Sequence, residues 1–554
     1  VDQLPDIDVA VVGAGFAGLY MLHRLRQSGL RARVFEQGAD VGGTWFWNRY
    51  PGARCDIESV DYCYSFSPEL LAGWTWTERY AAQPEILRYL GHVADRFDLR
   101  RDIQFRTRVR SVHYDEPGNR WLVSAGDGEV VSARYCVLAV GNLSAVKRPD
   151  FPGLESFRGE WYHTARWPAG GVDFGGKRVG IVGTGSTAIQ ATPQIARQAG
   201  RLYVFQRTPN YSMPARNRPL PAGELREVVR GYPARRRAAE QSDAGVPVPP
   251  PQRSALEVTP AERQRMYERG WRRGGINALS YAFTDFFTDE QANFTAQEFA
   301  REKIRQIVRD RGVADALCPA HHIGTKRTCV DIGYFETYNQ DHVTLVDVRR
   351  SPLTTVTPRG LATTSAEYEL DVIVFAIGFD AITGALLELD IRGRDGLPLA
   401  GKWAHGPRSY LGLCAAGFPN LFMVTGPGSP SVLSNMVVSV EQHVDWITDC
   451  LGYLEGRGLD RIEAAAASEE AWRRHVNALA DATLYPRASS WYTGANIPGK
   501  PRVFMPYVAG CGNYRRECDE VAERGYRGFI LAAGGRAAGI ETAPPDSKVL
   551  WYER

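Results

Sequence analysis

Lysine is scarce in this chain. Only seven occur in 554 residues, so arginine carries almost all of the positive charge of 66 basic side chains. Acidic residues number 63, which leaves a formal net charge of +3. A chain this close to neutral lacks the basic field that collects nucleic-acid phosphates, and nucleic acid is excluded as a main partner. No apolar run reaches the roughly 20 residues needed to span a bilayer. The opening V-D-Q-L-P-D has neither the basic nor the apolar region of a secretory signal, so the expected location is the cytoplasm. The nine cysteines, at 55, 63, 136, 318, 329, 414, 450, 511 and 518, form no C-x-x-C pair, no His-paired zinc spacing and no dense framework. Scattered buried thiols are expected, and nothing supports a metal.

Glycine turns placed after apolar strands are what the sequence does have. At this length two or three domains are expected. I-D-V-A-V-V (7–12) runs directly into G-A-G-F-A-G, followed by a helical pattern and a second strand, R-V-F-E. Gly13, Gly15 and Gly18 fit G-x-G-x-x-G: a tight turn, a close approach for a pyrophosphate, and room for helix to pack on strand. Glu36 ends the second strand, where a carboxylate accepts both hydroxyls of an adenosine ribose. K-R-V-G-I-V-G-T-G-S-T-A-I-Q (177–190) repeats the unit with a constant shift of 170. Gly183, Gly185 and Ala188 answer the three glycines, and Gln206 falls where Glu36 does, with Arg207 next. Losing the carboxylate removes repulsion toward a 2′-phosphate, and a guanidinium pairs with it. The first unit is therefore expected to hold FAD and the second to prefer NADPH, with hydride passing from nicotinamide to flavin.

Between the units lies F-R-G-E-W-Y-H-T-A-R-W-P, which sets Phe157, Gly159, His163, Trp167 and Pro168 in the pattern F-x-G-x-x-x-H-x-x-x-W-P. Further motifs are G-G-T-W-F-W-N-R-Y-P-G-A-R-C-D (42–56), G-T-K-R-T-C-V (324–330), G-P-G-S-P-S-V-L-S-N-M (426–436) and S-W-Y-T-G-A-N-I-P-G-K-P-R (490–502). Through these the chain resembles the type I Baeyer–Villiger monooxygenases over about 7–530, nearest to the phenylacetone and steroid monooxygenase branch. Related N-oxygenating enzymes carry Tyr-Lys or Phe-Lys where Trp-Pro stands here. The resemblance implies an α/β fold of two Rossmann-like dinucleotide-binding domains, for FAD and NADP, with a helical insertion in the NADP domain. Along the chain this gives an FAD domain at 1–140 and 381–530, and a linker with the first part of the NADP domain at 141–212. The insertion follows at 213–320 and the second NADP part at 321–380. A C-terminal extension, 531–554, matches no motif.

The implied reaction converts a bulky hydrophobic ketone to an ester or lactone with NADPH and O2, through a flavin C4a-peroxide and a tetrahedral adduct. Arg327 matches the family's catalytic arginine and Asp56 the acid that holds it. Gly43, Thr44, Trp45, Trp47, Asp56, Tyr62 and Met436 match FAD-contacting positions, beside Gly13, Gly15, Gly18 and Glu36. Arg54, Gly183, Thr184, Gly185, Ser186, Thr187, Ala188, Gln190, Arg207, Thr208, Lys326, Arg327 and Trp491 match positions that contact NADP. His163 is expected at the domain junction rather than as an acid–base group. Asn142, Leu143, Ser431, Val432 and Leu433 are the expected ketone-pocket wall. A-I-G (376–378) departs from the family, which commonly has Thr in the middle. The nearest alternative is an N- or S-oxygenating flavin monooxygenase. A disulfide oxidoreductase would need a redox cysteine pair where Gly43-Thr44-Trp45 stands, and a non-catalytic NADPH sensor would not need Arg327 and Asp56.

Overall fold

The run 7–12 becomes the central strand, Asp6–Val12, whose exposure falls from its first residue to a fully buried second half. It pairs in parallel with Ala32–Phe35 on one side and Glu129–Leu138 on the other. A computed structural model describes residues 6–534 and the backbone of 536 and 537. Beyond those first few residues, the extension expected at 531–554 lies outside the described residues.

Two sheets organise the molecule, the first mixed and the second all parallel. The first has eight strands; Ile103–Gln104 forms one edge, and an antiparallel meander of Val109–Asp115, Arg120–Ala125 and Glu129–Leu138 extends the other side. Late in the chain Leu421–Met423 and Asp390–Arg392 return to this sheet. The helices Phe16–Gln27 and Met436–Gly456 cover one face, burying Leu22, Leu25, Val444, Ile447 and Leu451 in one core. The second sheet has five parallel strands in the order Val343–Asp347, Arg201–Gln206, Arg178–Val182, Val372–Phe375 and Glu160–His163. Its first helix, Ser186–Ala196, buries Ile189, Ala191 and Ile195 against it. Parallel strands buried on both faces need near-continuous apolar runs, which explains R-V-G-I-V and V-I-V-F here.

Three features are not visible in linear order. The stretch 367–375 is divided: Glu367–Glu369 belongs to a small antiparallel sheet with Leu353–Thr357 and Gly360–Thr363, and only Val372–Phe375 joins the second sheet. Asp371 sits at the break, its carboxylate accepting the Arg178 N–H (2.8 Å) and guanidinium (2.8 Å). The linker motif is itself an edge strand, Glu160–His163, paired with Val372–Phe375. The stretch 213–320 does not pack as one body. Helix Ala222–Gln241 docks on the first core through Tyr232, and Arg236 pairs with buried Glu441. Helices Pro260–Arg273 and Glu290–Ile307 instead share an aromatic core of Tyr267, Trp271, Phe283, Phe286 and Phe299. Among the described residues no helix is long and apolar enough to cross a membrane.

Candidate active site

Both glycine turns open into a single cleft of about 920 Å³. Gly13, Gly15, Glu36, Gly43, Thr44, Trp45, Trp47, Asp56, Tyr62 and Met436 border it from the first unit. Gly183–Ser186, Thr187, Gln190, Arg207, Thr208, Lys326, Arg327 and Trp491 border it too.

The first turn is shaped for a pyrophosphate. Gly15 and Gly43 face each other so closely that a Cβ on Gly43 would lie 2.9 Å from the Gly15 Cα. Gly18 does not border the cleft; a Cβ there would strike the Gly13 carbonyl, so it serves the packing of helix on strand. Helix Phe16–Gln27 starts at Gly15 without a side-chain cap, and helix Ser186–Ala196 starts at Gly185 the same way. Uncapped N–H groups facing a cleft leave the helix N-terminus open to an anion. Glu36 is 4 % exposed and accepts the N–H groups of Ala14 (2.8 Å) and Gly38 (2.6 Å). Burial raises its pKa, and the two N–H donors work against that. These residues fit the adenosine diphosphate half of FAD.

The second turn is chemically distinct. Gln206 is buried and donates to the Ala316 carbonyl (2.7 Å), so no carboxylate waits at this strand end. Lys326 and Lys147 both have lowered pKa values, first through burial and then through the charge of Arg207. Three cations therefore crowd one wall, an arrangement that a bound dianion relieves. Thr184 is tied to the Thr208 carbonyl (2.7 Å). Ala188 is fully buried under its helix and stays off the cleft. Gln190 accepts the Tyr50 hydroxyl (2.8 Å) and donates to the Arg54 carbonyl (3.1 Å), while the Arg54 guanidinium reaches Glu78 (2.8 Å) and the Tyr80 carbonyl (2.6 Å). In this arrangement both residues clasp the two units together.

Arg327 stands where the units meet. Its Nε and Nη2 donate to Asp56 at 2.8 and 2.9 Å, a bidentate pair, and Nη1 donates to the Val432 carbonyl at 2.5 Å. Burial disfavours the arginine charge, but Asp56 outweighs this and holds its pKa above the ordinary value. Tyr492 is pushed up to about 12 by burial, against the pull of the Arg327 charge. Around this pair Val432, Tyr492, Tyr485, Phe504, Leu143, Met436 and Trp491 form an apolar cluster. The Trp45 indole donates to the Tyr62 hydroxyl (3.2 Å), fixing both rings.

Of the expected pocket wall, Asn142, Leu143 and Val432 border the cleft. Ser431 and Leu433 do not: Ser431 is turned inward, where Asn142 donates to its hydroxyl. The five linker-motif residues also lie behind the wall. Phe157 packs under the second sheet, and a Cβ on Gly159 would meet the Asp371 carbonyl at 2.4 Å. His163 is 5 % exposed, with Nδ1 accepting the Ala165 N–H (3.1 Å) and a pKa lowered to about 4, chiefly by burial. Trp167 is buried in the second core, and Pro168 opens the turn that follows, its carbonyl accepting the Gly171 N–H (3.1 Å). It is the intervening Arg166 that reaches across, its guanidinium 4.8 Å from the Trp47 ring centroid. Linear reasoning passed over Arg166, Lys147 and Tyr492. Tyr492 was within reach, since it follows Trp491 inside a quoted motif; a lone Lys147 carries no spacing signal.

The flavin-binding monooxygenase-like family model matches residues 6–218. A Baeyer–Villiger monooxygenase of Pseudooceanicola batsensis is 42 % identical over 95 % of this chain and 96 % of its own length. The chain belongs to the Baeyer–Villiger monooxygenase family. The phenazine N-monooxygenase PhzNO1 of Lysobacter antibioticus is 41 % identical over 95 % of this chain and 97 % of that one. The solved structure of an oxidized steroid monooxygenase bound to NADP is 53 % identical, with a TM-score of 0.92 over 96 % of this chain and 100 % of that one. That structure thus shares this chain's fold over almost its whole length.

Proposed function

We propose that this chain is an FAD-dependent monooxygenase that inserts one oxygen atom of O2 beside the carbonyl of a hydrophobic ketone, using NADPH. Ketone, O2, NADPH and a proton give ester or lactone, NADP+ and water. When bound, FAD would supply the two-electron chemistry between nicotinamide and oxygen. The protein's share is to bind, orient and exclude water.

The observation that carries the reading is Arg327 held bidentately by Asp56 on the wall of a cleft shared by two dinucleotide turns. Guanidinium stays protonated at any working pH, so Arg327 offers a fixed positive charge to oxygen atoms that become negative during the reaction. Of its five N–H donors, Asp56 takes two and the Val432 carbonyl a third, which fixes the guanidinium plane. Arg207 and Lys326, with Lys147 beside them, would hold the 2′-phosphate of NADPH. Gly15, Gly43 and Glu36 would hold the pyrophosphate and ribose of FAD. The apolar side chains of Leu143, Val432, Met436 and Trp491, which border the cleft, would keep water from the reacting atoms and favour a bulky, hydrophobic ketone.

The phenazine N-monooxygenase relative supports a second reading, oxygen transfer to nitrogen. Both are tested in one assay: purified enzyme, NADPH and a panel of aryl, cyclic and steroidal ketones alongside heteroaromatic amines, with products read by mass spectrometry. Ester or lactone is expected. N-oxides from the amines with unchanged ketones would reverse the assignment.

A further inference from the structure

Eleven non-glycine residues in the described chain have positive φ. Three of them converge on one residue, two of these on its side chain. Asn142 follows the strand Glu129–Leu138 and is 7 % exposed. Its backbone carbonyl accepts the Ile382 N–H at 2.8 Å, its Nδ2 donates to the Ser431 hydroxyl, and its Oδ1 lies 3.1 Å from the Thr425 hydroxyl, whose single proton it shares with the Val424 carbonyl at 2.7 Å. Those partners have φ of 68° at Ile382, 57° at Thr425 and 47° at Ser431. Ile and Thr are β-branched and rarely enter this region, so each needs its surroundings to hold it there. All three are nearly sealed from solvent, at 2 %, 2 % and 0 % exposure. Ile382 comes from one segment and Thr425 and Ser431 from a second, the loop after Leu421–Met423, and Asn142 is where the two are tied together.

The consequence reaches the guanidinium. Ser431 opens the tight turn Ser431–Leu433, closed by the Ser434 N–H (3.1 Å) and hydroxyl (2.8 Å) on the Ser431 carbonyl. One peptide further on, the Val432 carbonyl accepts Nη1 of Arg327. The bonds therefore run from Asn142 to Ser431, through one peptide unit to the Val432 oxygen, and on to Arg327. The geometry points to Asn142 as a positioning residue: through Ser431 and Thr425 it holds the strained wall of the pocket and sets the carbonyl that orients Arg327. This rests on the ketone reading above, and gives Asn142 a task beyond lining that wall.

The test uses the full-length holoenzyme with Asn142→Leu, Ser431→Ala and the double variant. Asn142→Leu keeps the volume and the Ile382 bond but deletes both side-chain bonds. Two readouts are taken: the ratio of regioisomeric esters from one unsymmetrical ketone, and the dissociation constant of an unreactive lactam read from the visible flavin spectrum. The second needs no ester to form, so it stands if the wild-type enzyme proves to oxygenate something other than a ketone. Each single variant is expected to move both readouts by about three- to tenfold, the scale of a lost buried hydrogen bond. The double variant should match the larger single effect, because both substitutions break the same link. Readouts equal to wild type, with only a lower melting temperature, would overturn the proposal, since Asn142 would then merely support the fold. Additive effects in the double variant would likewise overturn it. If Asn142→Leu does not fold, Ser431→Ala alone carries both readouts.

Discussion

Replacing Arg327 by Ala should separate the two halves of the reaction. The substitution removes a guanidinium that is 22 % exposed and leaves Asp56, 18 % exposed, without its bidentate partner. Breaking a fully buried pair costs about 3–5 kcal/mol; partial exposure of both groups brings the expected loss of stability down to roughly 2–3 kcal/mol. The catalytic effect is larger. Removing one preorganised charge or donor at a developing anion costs on the order of 10²–10³ in rate. Ester formation should fall by at least that factor. Reduction of bound FAD by NADPH depends on positioning by residues on the Arg207 wall, and should change by less than about tenfold. The assay pairs anaerobic stopped-flow bleaching of the flavin with aerobic measurement of ester and hydrogen peroxide per NADPH consumed. The variant should bleach, consume O2 and release peroxide instead of ester. Arg327→Lys, which keeps the charge but loses the planar fork, should fall between the two. Ester at the wild-type rate from Arg327→Ala would refute the reasoning, and so would loss of both half-reactions in a protein that still folds and binds FAD.

Neutralising Arg207 and Lys326 together should raise the KM for NADPH by about 10²-fold or more while changing that for NADH less than about fivefold, because only NADPH carries the phosphate they face; an equal rise for both coenzymes would remove the 2′-phosphate assignment. His163 is held neutral, its pKa lowered from 6.5 to about 4 chiefly by burial. The unfolded chain therefore takes up a proton there first: the stability is complete above pH 6.5 and is lost as pH falls toward 4, at about 1.4 kcal/mol per pH unit. His163→Gln should flatten denaturant-midpoint curves across that window by this slope; parallel curves for variant and wild type would contradict it.

The parts of this protein legible in the sequence are those whose signal is local. G-A-G-F-A-G after an apolar strand, its copy at a fixed shift, and Gln206 in place of Glu36 each need only a few consecutive residues to state their chemistry. The linker motif was equally visible, yet its physical form as an edge strand depends on pairing with Val372–Phe375, some two hundred positions away. Asp56 and Arg327 are 271 residues apart, and family likeness rather than any periodicity brought them together in the linear reading. The inward turn of Ser431 was hidden because a positive φ at a serine leaves no trace in composition. The docking of helix Ala222–Gln241 on the first core was hidden as well, since a basic amphipathic pattern does not say which partner its buried Arg236 will find. Arg54 and Gln190 read as cofactor ligands by position; the bonds of Gln190 to Tyr50 and to the Arg54 carbonyl appear only when the two units are set side by side, and the Arg54 guanidinium turns back to Glu78 within its own unit.

The most direct measurement is turnover of a hydrophobic ketone under 18O2 with NADPH, followed by mass spectrometry of the product. One labelled atom in the ester linkage, one NADPH oxidised per ester, and loss of the label-bearing product in Arg327→Ala are the expected results. NADPH oxidation that yields only labelled hydrogen peroxide, with every ketone recovered unchanged, would contradict the account.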